Sequence, residues 1–401
     1  MSDLDWLILG GGPHGVHLAA RLLGNANIDA TRLKILDPGP RLLHRWRTFT
    51  TATGMTHLRS PGVHHLDLEP FSLVHFAGKR RCRPAGVLRG IYNRPALEHF
   101  NLHSDRVIER YGLDELHLRD EALRLEPGPD RVLVTTRHGG SLEPKRVVLA
   151  IGASGQPAWP TWAPKNDPRV RHIFEDPAPE SEHPPVAPSP GEPSLLVIGG
   201  GISAAQLALR HATTGRRVDL VSRHRFRIHQ FDSDPGWLGP KLMPTFRREK
   251  SPVGRRRLIH QARHRGSVTP EVRRALRSAS ASGRLTIHED AVADLQVEGG
   301  GLRLELESGR MLEGTHLHLA TGFARRRPGG PMIDRLVEDF ELPCAPCGYP
   351  IVDAYLRWHP RIHVSGPLAE LELGPVSRNI AGARRAGDRL VEAQPVLRAV
   401  A

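Results

Sequence analysis

The sequence has no long hydrophobic run and contains only three cysteines in 401 residues. Its apolar runs are much shorter than the ~18 residues that a membrane span needs, so we expect a soluble chain. So few cysteines cannot form a disulfide framework in a chain of this length, which favours a reducing, cytoplasmic location. No basic segment precedes the first apolar run, and Trp6 to Leu9 is therefore predicted to be a strand and not part of a signal peptide.

Aromatic side chains are scarce, at 5% of the residues, whereas the formal net charge is +13. A surplus of positive charge attracts nucleic acids and other anions. However, the basic run at 246–265 is not interleaved with the aromatic residues that stack on bases. We therefore expect no nucleic-acid partner. The run is predicted to form a solvated face, with contacts to a nucleotide phosphate or an acidic substrate as the alternative.

A glycine-rich turn follows the first apolar run and precedes a helical pattern. Gly10, Gly12 and Gly15 have the GxGxxG spacing of a dinucleotide-binding turn. In such a turn the first glycine bends the chain, the second lets the backbone approach a pyrophosphate, and the third lets helix and strand pack closely. Asp37 ends the next apolar run, where it would accept a hydrogen bond from a ribose hydroxyl. The pattern predicts a βαβ unit that binds a dinucleotide.

The same pattern recurs after a proline-rich connector predicted at 175–194. Gly199, Gly201 and Ala204 form the GxGxxA variant of the turn, and the following strand ends at Ser222 and Arg223. A carboxylate at this strand end would repel a 2′-phosphate, whereas an arginine donates hydrogen bonds to one. The second nucleotide is therefore predicted to be NADPH and not NADH. The alternative is that Arg223 is a solvated surface residue.

Several segments outside the two turns resemble those of a flavoprotein family. The strand at 147–151 continues as GASGQPAWP, which is similar to a segment of the flavin-containing monooxygenases. Residues 320–323, ATGF, are similar to the ATGY segment of the ornithine and lysine N-hydroxylases. Residues 46–61 resemble the segment that runs beside the flavin ring, and residues 362–386 resemble the closing FAD segment, whose helix we expect to start near Gly374. The chain thus resembles the flavoproteins with two dinucleotide-binding domains, in particular the N-hydroxylating and flavin-containing monooxygenases.

The resemblance implies an α/β fold with two Rossmann-like dinucleotide-binding domains. Residues 1–165 and 315–401 would form a discontinuous FAD domain, and residues 166–314 would form an inserted NADPH domain. NADPH would reduce FAD, dioxygen would add at the flavin C4a carbon, and the hydroperoxide would hydroxylate a small amine or similar nucleophile. The partners would be a small-molecule substrate and dioxygen; the sequence leaves the oligomeric state open.

The resemblance also implies site residues. His57 and Arg59 would be catalytic, although this stretch lacks the glutamine of the N-hydroxylases. The substrate loop of those enzymes corresponds to residues 231–244, which keep Asp232, Ser233 and Asp234. The residues expected to bind cofactor are Gly10, Gly12, Pro13, His14, Gly15, Asp37, Trp46, Gly152, Gly199, Gly201, Ala204, Ser222, Arg223, Thr321, Gly322, Gly366, Leu373 and Gly374.

Cys344 and Cys347 form a CxxC pair in a proline-flanked loop. A redox-active pair would make the chain an NADPH-dependent reductase that passes electrons to a disulfide, a quinone or a protein carrier. The late position of the pair favours a structural loop instead. The nearest histidines lack zinc-finger spacing, so no metal is expected. A third alternative is a non-catalytic sensor that responds to FAD and NADPH.

Replacing Arg223 with alanine should raise the Michaelis constant for NADPH at least about tenfold and barely change that for NADH. The physical reason is the loss of a charge-assisted hydrogen bond to the 2′-phosphate, worth ~1.5–3 kcal/mol. Steady-state kinetics with both nucleotides measures the effect, and NADH serves as the control. Equal effects on the two nucleotides would contradict the 2′-phosphate role.

Overall fold

The computed structural model describes residues 3–175 and 194–399. The connector predicted at 175–194 therefore lies almost entirely outside the described residues. The helices in the described ranges are α1 (Pro13–Gly24), α2 (His44–Ala52), α3 (Ser72–Phe76), α4 (Leu97–Arg110), α5 (Ile202–Thr213), α6 (Met243–Arg248), α7 (Pro252–Ala262), α8 (Pro270–Ala281), α9 (Gly330–Asp339), α10 (Glu370–Leu373) and α11 (Ile380–Ala399).

The strands lie between these helices along the chain, several of them in succession. They are β1 (Trp6–Leu9), β2 (Leu33–Leu36), β3 (Leu88–Arg89), β4 (Arg94–Pro95), β5 (His117–Leu118), β6 (Ala122–Pro127), β7 (Val132–Thr136), β8 (Ser141–Leu142), β9 (Arg146–Leu149), β10 (Val170–His172), β11 (Ser194–Ile198), β12 (Val218–Val221), β13 (Arg227–Ile228), β14 (Ser267–Val268), β15 (Leu285–His288), β16 (Val292–Glu298), β17 (Gly301–Leu306), β18 (Met311–Leu319), β19 (Arg357–His359) and β20 (Ile362–Val364).

The first sheet has the strand order β19–β20–β9–β1–β2–β5. Its neighbouring strands run parallel, except for the antiparallel pair β19 and β20. In the centre, Ile8 of β1 lies between Ile35 of β2 and Val148 of β9, and all three side chains are buried. Helices α1 and α11 pack against each other over this sheet. Continuous apolar strands are what a parallel sheet requires when both of its faces are covered.

The second sheet has the order β15–β12–β11–β18–β17–β16, and β10 also pairs with β18. Its parallel half, β15–β12–β11–β18, contains Val197 of β11 between Leu220 and His318. Strands β16 and β17 extend it as an antiparallel hairpin. Two parallel-strand sheets with covering helices confirm the predicted α/β class.

The boundaries between the two domains differ from those expected. Strand β18 belongs to the second sheet through Leu319, so the chain returns to the first domain after that residue and not at 315. Trp159 and Ala163 pack in the apolar core of the second sheet, so the crossing before it is also earlier than 165. We therefore define the first domain as residues 3–158 and 320–399, and the second domain as residues 159–175 and 194–319.

The last helix begins later than the sequence indicates. Helix α11 starts at Ile380 and not near Gly374. Gly374 has φ +83°, a left-handed conformation that ends α10 and starts a turn. The amide of Ser377 donates to Gly374 O at 3.0 Å, and that of Asn379 donates to Val376 O at 2.9 Å. Successive turns therefore occupy the six residues that the sequence pattern assigned to the helix.

Arginines connect the two domains. Arg210 on α5 donates to Thr51 O at 2.9 Å. Arg94, which is 4% exposed, forms an ion pair with Glu271 at the start of α8. Because Glu271 neutralises a buried guanidinium in the other domain, the pair restricts the relative orientation of the two sheets.

Gly15 has no space for a side chain, whereas Gly12 does. A Cβ at Gly15 would lie 1.8 Å from Gly10 O, a backbone atom. A Cβ at Gly12 would meet no atom within 4 Å among the described residues, and the backbone there has φ −76°.

Gly15→Ala should therefore lower the free energy of unfolding by at least about 3 kcal/mol or prevent folding, because the helix and the turn must separate. Gly12→Ala, the matched control, should change it by less than about 1 kcal/mol. Chemical denaturation of both variants tests this. Equal losses would mean that the tight contact does not exist.

Candidate functional site

Each of the two glycine loops makes the same kind of close contact with the backbone of a neighbouring strand end. A Cβ at Gly10 would lie 2.5 Å from Ala150 O, and a Cβ at Gly199 would lie 2.5 Å from Ala320 O. Both glycines have positive φ, +110° and +155°, which other residues rarely adopt. Because Ala150 and Ala320 directly follow β9 and β18, each loop lies against the end of the neighbouring parallel strand. The two glycine loops therefore repeat the same contact between equivalent backbone atoms.

Gly12 and Gly201 are the N-caps of α1 and α5, and neither helix start receives a side-chain cap. A Cβ at Gly12 or Gly201 would meet no described atom within 4 Å. Each loop therefore exposes its backbone at a helix N-terminus, where the helix dipole and free amides favour a phosphate group. Pro13 occupies the first turn of α1, and Ala204 is fully buried where α5 packs on its sheet.

The carboxylate of Asp37 lies beside the first loop. It accepts hydrogen bonds from the amide of Gly11 at 2.7 Å and from that of Gly39 at 2.8 Å. A carboxylate offers about four lone-pair sites, so acceptor capacity remains for a further donor. The Asp37 carboxylate therefore lies beside the first loop with an acceptor position left over, and its contact with a ribose hydroxyl stays a prediction.

His14 connects the first loop to the closing segment near the C-terminus. Its Nε2–H donates to Asn379 O at 3.1 Å, and Ser365 Oγ–H donates to its Nδ1 at 2.8 Å. Burial lowers the pKa of His14 to about 4, so the ring is neutral at pH 7. Ser377 Oγ donates to Gly366 O at 2.6 Å and so connects the residues before α11 to the start of the closing segment. Residues more than 350 positions apart in sequence thus form one side of the site.

Leu373 and Gly374, at the end of α10, both pack closely against other parts of the protein. Leu373 is buried in the core of the first domain. Gly374 lies against α6 of the second domain, since a Cβ there would be 3.5 Å from Met243 Sδ. These two positions therefore pack the closing segment against the core of the first domain and against α6 of the second.

The end of β12, beside the second loop, carries Ser222 and Arg223 where β2 ends before Asp37. Ser222 is buried, and its hydroxyl donates to His224 O at 2.7 Å. Arg223 is exposed and forms no hydrogen bond or ion pair with the described residues. The sequence did not single out His224, whose ring lies against Gly200 and Gly266, since a Cβ at either would be within 3 Å of it.

Gly152 follows β9, and Thr321 and Gly322 follow β18, where the chain passes between the two domains. Gly152 and Gly322 both have positive φ and open surroundings among the described residues. Thr321 Oγ1 donates to Ala158 O at 2.6 Å and accepts from His172 Nε2 at 3.1 Å. The hydroxyl of Thr321 therefore connects the segment in which the chain leaves the first domain to the segment in which it returns.

Trp46, His57 and Arg59 all make contacts within the protein. Trp46 packs against α4, where its Nε1–H donates to Asn101 Oδ1 at 3.1 Å. Arg59 donates across the domain boundary to the carbonyls of 229, 230 and 231 and to Ser267 Oγ, at 2.6–2.9 Å. Its guanidinium therefore holds the two domains together.

The imidazole of His57 lies beside a cavity of about 370 Å³ between the domains. Its Nε2–H donates to Gly86 O at 2.7 Å, which leaves Nδ1 as the acceptor. Burial and the nearby charges of Arg89 and Arg94 lower the pKa of His57. The ring is therefore neutral at pH 7.

A buried charge network at the closing segment was not found by sequence reasoning. Glu370 is 1% exposed and accepts from Arg378 at 2.6 and 3.0 Å and from Arg256 on α7. Burial opposes ionisation of Glu370, yet the two arginines outweigh it and lower its pKa. Asp232 of the predicted substrate loop accepts from Asn379 Nδ2 at 3.2 Å and from Arg263 at 3.3 Å. The bond from Asn379 connects the closing segment to the second domain, and the bond from Arg263 holds Asp232 within that domain.

Both cysteines of the CxxC pair are free thiols, and the sulfur of each accepts a hydrogen bond from an arginine. Arg327 Nη1 lies 3.3 Å from Cys344 Sγ, and Arg256 Nε lies 3.4 Å from Cys347 Sγ. Burial raises the pKa of Cys344 despite Arg327. Cys344 is therefore a thiol and not a thiolate at neutral pH, which makes it a weak nucleophile.

Residues 7–154 match a family model described as FAD-NAD(P)-binding. No curated protein matches the sequence significantly. Among solved structures, an ornithine N-hydroxylase from Kutzneria sp. 744, with reduced FAD, NADP⁺ and L-ornithine, superposes with a TM-score of 0.73 at 17% identity, covering 99% of this chain and 100% of that one. An ornithine hydroxylase from Pseudomonas aeruginosa gives 0.72 at 19% identity, with 98% of each chain covered.

The chain has an FAD/NAD(P)-binding fold. The predicted resemblance to the N-hydroxylating flavoproteins is thereby confirmed at the level of architecture. The same fold is shared with a bacillithiol disulfide reductase from Staphylococcus aureus, with a TM-score of 0.63 at 15% identity and 99% of each chain covered.

Two further features bear on the class of site. None of the helices that the structure describes is long and apolar enough to cross a membrane. In residues 3–175 and 194–399, no group of three or more His, Cys, Asp or Glu side chains is placed to hold a metal ion.

The stability of the protein should fall as the pH decreases from about 6.5 to about 4, in part through His14. The folded-state pKa of about 4 lies below the ordinary value, so the unfolded chain binds more protons throughout this range. His14→Asn should be less stable than wild type at pH 7, because the bonds to Ser365 and Asn379 weaken, but the difference should shrink at pH 5. Thermal midpoints at both pH values measure this. An unchanged difference would show that His14 is not buried in its neutral form.

Proposed function

We propose that the chain is an FAD- and NADPH-dependent monooxygenase that hydroxylates a small amine or a similar nucleophile. The observation that supports this most directly is the repeated loop geometry, in which two helix N-termini present open backbone in two adjoining domains. A fold shared at full length with two ornithine hydroxylases supports the choice of reaction.

The residues of both loops fit the two nucleotides. Gly10, Gly12 and Gly15, with Asp37 on the adjacent strand, would hold the pyrophosphate and ribose of FAD. Gly199, Gly201 and Ala204 would do the same for NADPH. The exposed guanidinium of Arg223, which has no partner among the described residues, would bind the 2′-phosphate, since neither Ser222 nor His224 carries a negative charge there.

Bound FAD would supply electron transfer from NADPH and the activation of dioxygen, which no side chain provides. The overall reaction balances as amine, O₂, NADPH and one proton giving hydroxylamine, water and NADP⁺. The protein contributes orientation, proton handling and exclusion of water.

His57 would accept a proton at Nδ1. Its Nε2–H is held by Gly86 O, and the lowered pKa keeps the ring unprotonated at pH 7. Nδ1, which lies 3.3 Å from Thr56 Oγ1, is the nitrogen that can accept a proton from an ammonium group, and only the neutral amine is nucleophilic.

Arg59 would act as a positioning residue. Its four hydrogen bonds connect the segment at 54–59 to the loop at 229–231 and to β14. These bonds hold the two nucleotide-binding domains in register, as transfer between two cofactors requires.

The shared fold with a disulfide reductase makes electron transfer to a disulfide the second candidate. The arginines beside Cys344 and Cys347 favour it, because a cation stabilises a thiolate. The raised pKa of Cys344 disfavours it.

Isotope incorporation separates the candidates. The purified FAD-bound protein, NADPH and a panel of primary amines should be incubated under ¹⁸O₂, with mass spectrometry of the products. We expect one ¹⁸O atom in a hydroxylated amine and NADPH consumption that rises with that amine. The matched control is the Gly12→Val variant, whose side chain would block the pyrophosphate, so that it should fold but bind no FAD.

NADPH oxidation that leaves every amine unlabelled and increases with a disulfide or quinone would identify a reductase. Negligible NADPH turnover with all acceptors would favour the sensor function. Either result would reject the monooxygenase proposal.

A further inference from the structure

Residues 70–97, which include α3 and the hairpin of β3 and β4, carry charge of one sign only. This segment contains six lysines and arginines and no aspartate or glutamate. Lys79, Arg80 and Arg81 are exposed, and none of their side chains forms an ion pair or a hydrogen bond with a described residue. Because no carboxylate of the segment neutralises them, these cations are available to an anionic surface that approaches from outside.

The hairpin of β3 and β4 has an apolar tip. Ile91 is 88% exposed and Tyr92 is 42% exposed. Both lie in the turn in which the amide of Asn93 donates to Gly90 O at 3.1 Å. A Cβ at Gly90 would meet no described atom within 4 Å, so the turn has open space around it. The tip therefore presents apolar surface to the outside instead of packing it on the protein.

Gly62 holds the hairpin against α3. Its amide donates to Tyr92 O at 3.1 Å. A Cβ at Gly62 would lie 2.6 Å from Asn93 O and 3.1 Å from Val74 Cγ2, so the hairpin and α3 both pack on this glycine. The next residue, Val63, is 38% exposed and adds to the apolar surface near the tip.

A compact turn carries the cations from α3 to the hairpin. Arg83 Nη2 donates to Gly78 O at 3.0 Å, and the amide of Cys82 donates to Lys79 O at 2.9 Å. Because α3 and the hairpin pack together, the turn between them lies on the same side of the first domain. Residues 79–81 and 91–92 therefore form one surface, the basic hairpin surface, which is apolar at its tip and positively charged beside it.

The charge and shape of the basic hairpin surface decide which partner it fits. A symmetric contact with a second copy would bring the same cations face to face. A folded protein would need a pocket for the protruding tip, whereas a lipid surface deforms around it. Anionic headgroups attract lysine and arginine, and the region below them accepts apolar and aromatic side chains. An anionic lipid surface thus matches both features at once.

We propose that the basic hairpin surface binds the protein to one face of an anionic lipid bilayer. Ile91 and Tyr92 enter the headgroup region, and Lys79, Arg80 and Arg81 pair with lipid phosphates. The contact is peripheral, and no helix has to cross the bilayer for it. This interaction goes beyond the proposed hydroxylation and does not depend on it.

Co-sedimentation of the FAD-bound protein with lipid vesicles tests the proposal. One set of vesicles contains phosphatidylcholine with about one-third phosphatidylglycerol, and the other contains phosphatidylcholine alone. We expect binding to the anionic vesicles to be at least about tenfold tighter, and to weaken as the salt concentration rises. The assay measures partition and not turnover, so failure of the proposed hydroxylation leaves this test intact.

A double variant tests the cations. Arg80→Gln with Arg81→Gln should weaken binding to anionic vesicles at least about tenfold, because each cation near such a surface contributes about fivefold. The matched control, Arg217→Gln with Arg335→Gln, removes the same charge from two exposed positions elsewhere. It should change the affinity by less than about threefold, since salt screens charges that are far from the lipid.

A single variant tests the apolar tip. Ile91→Ser should weaken binding by about tenfold and leave its salt dependence unchanged, because it removes buried apolar area and no charge. The matched control Val253→Ser replaces another apolar residue, 58% exposed on α7, and should have no effect. All the substituted side chains are exposed, so the variants should fold.

The absence of binding to anionic vesicles would overturn the proposal. Equal weakening by the two double variants would mean that net charge alone causes the binding, and would overturn it as well. Unchanged binding of Ile91→Ser would reject insertion of the tip. Binding of soluble polyglutamate without binding of any vesicle would identify an acidic protein as the partner and would contradict the lipid contact.

Discussion

The structure depends on two backbone contacts in which a carbonyl oxygen occupies the place of a side chain. At Gly10 this oxygen belongs to Ala150, and at Gly199 it belongs to Ala320. Each contact lets the turn after the central strand lie directly on the end of its parallel neighbour. The helix that follows then points its N-terminus at the edge of the sheet, with Gly12 or Gly201 leaving the backbone open. A methyl group at either contact would displace the turn, and with it the binding edge of the domain.

The second organising feature is the use of arginine at boundaries between segments. Arg59, Arg94 and Arg210 cross from one domain to the other, and Arg256 and Arg378 hold Glu370 of the closing segment. A guanidinium suits this role because it donates several hydrogen bonds in a plane and remains charged when partly buried. Part of the net charge of +13 therefore lies between segments of the protein and not only on its surface. Arg223 is one of the arginines outside these boundaries, and it lies where the proposed NADPH would carry its 2′-phosphate.

The sequence was most informative where a residue type is required by its immediate neighbours. Spacing alone predicted the turn at Gly10 to Gly15, where Gly15 packs directly on the backbone of Gly10 in the same turn. It failed where a conformation depends on distant contacts. The start of α11 was misplaced since a turn at Gly374, packed against α6, delays the helix. Glu370 was not recognised because its partner Arg256 is 114 positions away, and no local pattern marks such a pair.

The sequence by itself determined the α/β class, the two dinucleotide-binding turns and the difference between Asp37 and Arg223, since these follow from periodicity and from charge at a strand end. Only the tertiary structure decided that Arg59 connects the domains and that His14 meets Ser365. The reason is physical: hydrophobic periodicity and backbone sterics act over a few residues. Burial and hydrogen-bond satisfaction depend on every segment that packs around a side chain, wherever it lies in the chain.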